Sequence, residues 1–304
     1  MFRAPSISKA SLLLLLFALL AGAGSGFAQE LEPRAYRTAP VGLNFIMATY
    51  SLSSGNVLTD ATAPVEDLDM DIHMAIVSYL RTLGLFGRSS SITFNLPYGY
   101  VTGSGKLAGE RVTGSRAGAA DFRARVVVNL VGGPAMTPQE FAKVGQRRNI
   151  GVSLTVAAPT GQYDPTRIVN FGTNRWSFKP EIGYSSIKGR WIVDAAMGVW
   201  LFTDNDDFLG VTREQDPIGS FQAHLSYDIT QKIWLSLDAN YFTGGRTTLG
   251  GEQKDDLQKN SRIGLTLSLP LRPRQTLRLA GATGAFTSFG ADFDQLLVAY
   301  LYRW

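Results

Sequence analysis

The residues that could do chemistry are charged side chains spaced two apart within otherwise apolar segments. In one such segment Asp121, Arg123, Arg125 and Asn129 share one phase of a period of two, and the opposite phase is apolar. A stripe of charged and amide groups needs water or opposite charges around it, because burial of an unpaired polar group is costly. We predict that this stripe lines a polar interior, where it either lets small solutes pass or is filled by mutually paired side chains.

Later segments repeat the stripe, and its members are assigned to the same interior. The candidate lining residues are Asp121, Arg123, Arg125, Lys179, Glu181, Asp194, His224, Asp238, Arg262 and Arg278. Asp71, Arg81 and Arg303 are assigned to the same stripe. Positive and negative charges nearly balance in this set, so the sequence predicts no ion selectivity.

Metal, nucleotide and cofactor sites are not predicted. Asp204-Asn-Asp-Asp207 resembles the start of a calcium loop, but Leu209 and Gln215 stand where that loop needs glycine and glutamate. Gly103-Ser-Gly-Lys106 lacks the first glycine of a phosphate-binding loop and is followed by leucine rather than serine or threonine.

The elements that must position the polar stripe are β-strands. In the last stretch, Leu296, Val298, Tyr300, Tyr302 and Trp304 occupy one phase and the other phase is mixed. This period of two indicates a strand, and its aromatic end suits a strand with one face in lipid. A soluble sheet edge would also alternate, but it would not explain the polar stripe, the alternation of loop lengths and the terminal aromatic together.

About twelve such segments of roughly ten residues follow one another, an even number as closed single-chain barrels require. The first runs from Gly42 to Tyr50, with Leu43, Phe45 and Met47 on its apolar side. The second places Met70, Ile72, Met74 and Ile76 opposite Asp71 and His73. We therefore predict an all-β fold, a transmembrane antiparallel up-and-down β-barrel, because open strand edges cannot lie in hydrocarbon.

Loop lengths support the same architecture. Short turns, such as 83–89 and 185–190, alternate with long connections, such as 51–67, 102–117 and 159–174. In outer-membrane barrels the long loops are extracellular and the short turns periplasmic. The exception is Thr137-Pro-Gln-Glu140, a capping box that predicts one short helix in a periplasmic turn.

Export is indicated by the first 28 residues. Arg3 and Lys9 precede an apolar run from Leu12 to Leu20, and Gly26-Phe-Ala28 suits a signal peptidase. We predict a cleaved signal peptide at 1–28 and a barrel domain at 29–304. Loss of Arg3 and Lys9 lowers the net charge from +4 to +2, which does not favour a nucleic-acid partner. The chain contains no cysteine, which excludes disulfides and thiol chemistry.

Three runs carry a resemblance to a known family. Pro159-Thr-Gly-Gln-Tyr163, Asn170-Phe-Gly-Thr-Asn-Arg-Trp176 and Lys179-Pro-Glu-Ile-Gly-Tyr-Ser185 resemble the outer-membrane transporters of the meta-pathway phenol-degradation family. Ala119-Ala-Asp121 looks like a variant of that family's Gly-x-Gly-Asp strand start. The resemblance implies a barrel that takes up aromatic or other small hydrophobic compounds. It implies no particular functional residues.

Three functions are compatible with the sequence. The first is a channel of the bacterial outer membrane for passive uptake of small, aromatic or hydrophobic solutes. The second is a structural or adhesion barrel with a plugged lumen. The third is a hydrolase, since His224-Leu-Ser226 and Asn240 are similar to the His-x-Ser and later Asn of outer-membrane phospholipases. Alternation places both residues inside the barrel rather than toward lipid, so we predict no catalytic site.

The expected partners follow from this location. They are outer-membrane lipid and lipopolysaccharide, a small-molecule solute, and the barrel-assembly machinery through the C-terminal strand that ends at Trp304.

Overall fold

The structure is a computed structural model that describes residues 31–56, 65–107, 110–144, 148–167, 169–288 and 292–304. The predicted signal peptide at 1–28 lies outside the described residues. Throughout the described part, long antiparallel strands dominate, as the period of two predicts.

Twelve membrane-length strands form the wall, one of them built from two consecutive pieces. In chain order the strands are β1 (Asn44–Asn56), β2 (Val65–Leu85), β3 (Arg88–Leu107), β4 (Glu110–Ala119), β5 (Phe122–Val131), β6 (Arg148–Ala158), β7 (Ser177–Lys188), β8 (Trp191–Phe202), β9 (Asn205–Phe208), β10 (Val211–Gln215), β11 (Ile218–Asp228), β12 (Trp234–Gly244), β13 (Thr247–Leu249), β14 (Glu252–Gln253), β15 (Gln258–Arg272), β16 (Gln275–Thr287) and β17 (Asp292–Arg303).

The wall closes because the first strand pairs with the last. β1 and β17 run antiparallel with Phe45 opposite Arg303 and Tyr50 opposite Val298. The other edge of β1 pairs with β2, and each further wall strand pairs with its neighbour along the chain. The predicted antiparallel up-and-down barrel is confirmed.

The outer surface carries an apolar belt. Large hydrophobic side chains on the outward phase are exposed, among them Leu96, Met197 and Leu237, each more than half exposed. The predicted outward phase of the last strand is confirmed for Leu296 and Val298, which are also exposed. A belt of this kind is stable only against lipid, because so large an apolar area would otherwise meet water.

The phase of β2 is the reverse of the sequence interpretation. Met70 and Ile72 point inward and are 3% and 1% exposed, whereas Asp71 is exposed on the outer phase. Arg81 and Arg303, assigned to the interior with Asp71, are exposed as well. The prediction was wrong because it took the more apolar phase as the lipid side, while this strand places an apolar cluster inside the barrel.

A change of partner interrupts the wall beside β3. Residues Ser90–Asn95 of β3 pair with β5, and residues Tyr98–Leu107 pair with β4. Pro97 lies at the change, where its carbonyl accepts the Ala120 amide at 2.9 Å. The predicted loop at 102–117 is therefore wrong, because most of it forms a β3–β4 hairpin.

The predicted helix is present as α1 (Pro138–Phe141), and both hydrogen bonds of its capping box are formed at Thr137 and Glu140. It lies at the barrel end that carries the short turns and Trp304, which is the periplasmic end in outer-membrane barrels. At the opposite end β9, β10, β13 and β14 form a small separate sheet within the long loops. Among the described residues, no helix has the length and apolarity needed to cross a membrane.

Candidate functional site: the barrel interior

The inward phases of β6, β7, β8, β11, β12 and β15 build a polar interior. Because neighbouring strands are in register, inward residues form rows around the wall. One row places Asp194, His224 and Asp238 side by side, and the next places Gln222, Asn240 and Arg262 side by side. All six side chains are at most 6% exposed.

One charge cluster is centred on Glu181 of β7. Its carboxylate accepts from Lys179 Nζ at 2.7 Å and from Arg125 at 2.9 Å. Tyr36 donates its hydroxyl hydrogen to the same carboxylate at 2.8 Å. Arg125 also pairs with Glu32. Two cations and two carboxylates thus neutralise one another, and the buried Glu181 carboxylate is fully paired, as a buried charge must be.

A second cluster is centred on Asp238 of β12. Its Oδ1 lies 2.8 Å from His224 Nδ1 and accepts the Ser236 hydroxyl at 2.6 Å, and its Oδ2 accepts the Thr266 hydroxyl at 2.6 Å. The Ser226 hydroxyl, by contrast, has no hydrogen-bond partner in the described part of the chain. His224 therefore contacts an aspartate rather than a nucleophile, and this arrangement does not favour the hydrolase interpretation.

The N-terminal segment, residues 31–43, enters the interior from the periplasmic end, and sequence reasoning missed it. Tyr36 is 3% exposed, and its hydroxyl also lies 2.9 Å from Ser153 Oγ on β6. The wall accommodates its ring at Gly183, where an ideal Cβ would lie 2.1 Å from ring atoms. Arg34 pairs with Asp228 at 2.9 Å and lies 4.2 Å from the centre of the Trp234 ring.

This segment occupies the lumen on the periplasmic side of the barrel. Glu32, Ala35 and Tyr36 form one side of a small cavity whose other side is the wall, including Asp194 and His224. The cavity has room for about one water molecule. The sequence signal for this segment is the set of polar residues between the predicted cleavage site and the first strand, but these residues show no periodicity that would place them.

Several interior groups lack hydrogen-bond partners within the described residues. Among them are both carboxylate oxygens of Asp194, the amide of Asn240 and the guanidinium nitrogens of Arg262. Arg262 instead lies over the Phe293 ring, 3.0 Å from its centre. Buried polar groups without partners are uncommon in proteins and indicate water or a solute.

Asp121 has a different position from the one predicted. It lies between β4 and β5, where Oδ1 accepts the Gly161 amide at 2.9 Å and Oδ2 accepts the amide and hydroxyl of Thr173 at 2.9 and 2.6 Å. Its carboxylate therefore fixes the loop 159–176. Arg123 is half-buried, and the Arg278 guanidinium lies 5.4 Å from the centre of the Trp234 ring.

No three histidine, aspartate or glutamate side chains among the described residues are placed to hold a metal ion. The interior is instead a set of paired charges with a few unpartnered polar groups. Such a surface can solvate and orient a small solute or ion.

Comparisons with known proteins agree with this architecture. The crystal structure of an outer membrane channel from Pseudomonas putida F1 matches with a TM-score of 0.77 and 21% identity, covering 90% of this chain and 100% of that one. The transport unit of the autotransporter AIDA-I from Escherichia coli matches with a TM-score of 0.50 and 9% identity, covering 91% of this chain and 93% of that one. These likenesses show the fold, that of bacterial outer-membrane barrels. No curated protein matches the chain.

The family comparison is more specific. The model of the family described as "Putative MetA-pathway of phenol degradation" matches residues 53–286, which is well over half of the chain and includes the three runs that carry the resemblance. The protein therefore belongs to this phenol-degradation family.

Proposed function

We propose that the protein is an outer-membrane channel for passive movement of small solutes, and that residues 31–43 narrow its lumen. The observation that carries this proposal is the interior itself. A barrel filled only for stability would pair its polar groups, but Asp194, Asn240 and Arg262 are buried without hydrogen-bond partners in the described residues. Water or a passing solute would satisfy them.

The lumen-lining role of the paired charges is part of the same proposal. Arg125 contacts the N-terminal segment at Glu32, and Glu181 contacts it at Tyr36. Lys179 and Arg125 both pair with Glu181. That segment contributes no strand to the wall, and Tyr36 is held through its side chain and by the Asn149 side chain at its carbonyl. Residues 41–43, by contrast, are fixed by backbone hydrogen bonds to Met136 and Thr82. Residues 31–38 can therefore leave the lumen without breaking a strand pair.

A plugged structural barrel is the second candidate, and the salt bridges around Glu181 favour it. Conductance of the refolded mature chain in planar lipid bilayers distinguishes the two. For a channel we expect discrete current steps, larger steps when residues 31–41 are deleted, and no change for Leu237→Ala on the lipid face. Silence from both the full and the shortened chain, each verified as folded by its electrophoretic band shift, would leave the plugged barrel.

The aromatic or hydrophobic nature of the solute and the partners are also proposals. Family membership supports an aromatic solute. The exposed belt supports contact with lipid and lipopolysaccharide, and the aromatic phase ending at Trp304 supports recognition by the assembly machinery.

A further inference from the structure

An apolar cluster lies inside the outer half of the barrel, in contrast to the polar rows elsewhere. Met70 and Ile72 on β2 and Val101 on β3 are buried together with Phe171, and each is at most 7% exposed. Their neighbours on the opposite phase of the same strands, such as Tyr100, are exposed on the outer surface. The cluster therefore faces the lumen rather than lipid.

The ring in this cluster comes from a loop and not from the wall. Phe171 belongs to the loop 159–176, and its ring lies against Gly99, where an ideal Cβ would be 2.1 Å from Phe171 Cε1. The absence of a side chain at Gly99 creates the recess that accepts one six-membered ring. Met74 borders the same recess, and its sulfur would lie 2.7 Å from that Cβ. A thioether beside an aromatic ring is a favourable contact.

The loop is held by hydrogen bonds, including those to Asp121, and none of its described residues belongs to a strand of the wall. The backbone N–H of Gln162 donates to the Ala119 carbonyl at 2.7 Å, and the backbone N–H of Gly172 donates to the backbone carbonyl of Gln162 at 3.0 Å. The β5–β6 ladder ends at the Phe122–Ala158 pair. Within the described residues β4, which precedes β5, pairs only with β3, so this loop covers the free edge of β4. Displacement of the loop would expose both the recess and the edge.

We propose that this recess is a binding site for a small aromatic molecule with one ring, which takes the place of the Phe171 side chain when the loop moves. The inference rests on the proposed channel function and adds to it the position of the solute. Apolar contacts from Met70, Ile72 and Val101 would supply the affinity, since removal of a ring from water is favourable in proportion to the area buried.

The test uses 4-fluorophenol as the probe and fluorine NMR of the refolded mature chain in detergent. We expect saturable binding to the wild type and about tenfold tighter binding to Phe171→Ala, because the competing ring is gone. Val101→Thr, which keeps the shape of the recess but adds a hydroxyl, should weaken binding. Phe221→Ala removes a ring from the lipid face and serves as the matched control, with unchanged binding.

A cross-link separates a native site from a cavity made by mutation. An ideal Cβ at Gly118 would lie 3.1 Å from Gln162 Cβ, close to the separation of about 3.5 Å found in short disulfides. The chain has no cysteine, so Gly118→Cys with Gln162→Cys forms a single possible disulfide. Oxidation should restrain the loop and weaken 4-fluorophenol binding about tenfold, and reduction should restore it.

Two outcomes would overturn the site. One is equal binding by the oxidised and reduced double-cysteine protein. The other is non-specific binding, seen either as wild-type binding that does not saturate or as binding that Phe221→Ala weakens as strongly as Val101→Thr does. If Phe171→Ala does not fold, Phe171→Leu tests the same competition. Current steps in bilayers without 4-fluorophenol binding would reject this site and leave the channel function standing. Silence in both assays would reject both.

Discussion

Substitution of Gly183 by alanine should release the N-terminal segment from the lumen. Gly183 lies on the inward phase of β7, and an ideal Cβ there would lie 2.1 Å from two atoms of the Tyr36 ring. Tyr36 cannot move aside while its hydroxyl stays bonded to Glu181 and Ser153. The added methyl group therefore opposes the seated position of the segment and not the strand itself, in which alanine is acceptable.

The size of the effect follows from these contacts. Overpacking a buried site costs about 1–3 kcal/mol. Burial of the Tyr36 ring and its hydrogen bonds stabilises the seated segment by an amount of the same order. A cost of about 2 kcal/mol raises the released fraction about thirtyfold, since each 1.4 kcal/mol changes an equilibrium constant tenfold.

Trypsin measures the released fraction, because Arg34 and Arg37 lie in the segment. When opening and closing are fast relative to cleavage, the rate of proteolysis follows the open population. In Gly183→Ala we expect cleavage at the N-terminus to be about thirtyfold faster, as measured by the mass of the intact protein over time. We also expect larger current steps in planar bilayers. Gly219→Ala is the matched control, because its Cβ would meet no atom closer than 3.5 Å. Tryptic cleavage of the segment at the wild-type rate, with current steps of unchanged size, would refute the proposal that Tyr36 holds the segment in the lumen.

Three further outcomes are expected. Glu181→Gln removes the counter-charge shared by two buried cations and should destabilise the barrel by about 3 kcal/mol, read from urea unfolding followed by the electrophoretic band shift. Asp121→Asn turns one acceptor of the loop 159–176 into a donor and should accelerate amide hydrogen exchange there, at a cost of about 1–3 kcal/mol; exchange unchanged from wild type would count against this anchor. Hydrogen bonds from the Thr166 hydroxyl and amide hold the pKa of Asp164 below its usual value. The turn they form is therefore fully stabilised above the pKa of the unfolded chain and loses that contribution as pH falls through the lowered value. The protection factors of amides 164–167, which correct for the slower intrinsic exchange in acid, should therefore fall.

The wall could be predicted from the sequence because the alternation of polar and apolar residues within each strand indicates which side chains face lipid and which face the interior. Alternation at β7, β11 and β12 correctly separates exposed Ile182, Leu225 and Leu237 from buried Glu181 and Asp238. The inference fails at β2, where both phases are plausible for lipid until the apolar cluster around Phe171 is known. Orientation there depends on a ring about a hundred positions away in the chain, and no local pattern contains that information.

The pairing inside the barrel could not be predicted for the same reason. Tyr36 and Glu181 are separated by 145 positions, and the polar phase of β7 only indicates that Glu181 needs a partner. Burial requires that partner to exist, but several inward cations are chemically equivalent in the sequence.

The N-terminal segment supplies the contacts that decide between the channel and the plugged barrel. It is not periodic and contributes no strand, so an argument from alternation assigns it to no element. Its first part, residues 31–38, is removable, because its departure breaks no wall pairing and leaves Arg125 and Lys179 facing Glu181 in a wider lumen. In the proposed channel, conduction therefore depends on the free energy of seating Tyr36 and not on the number of strands.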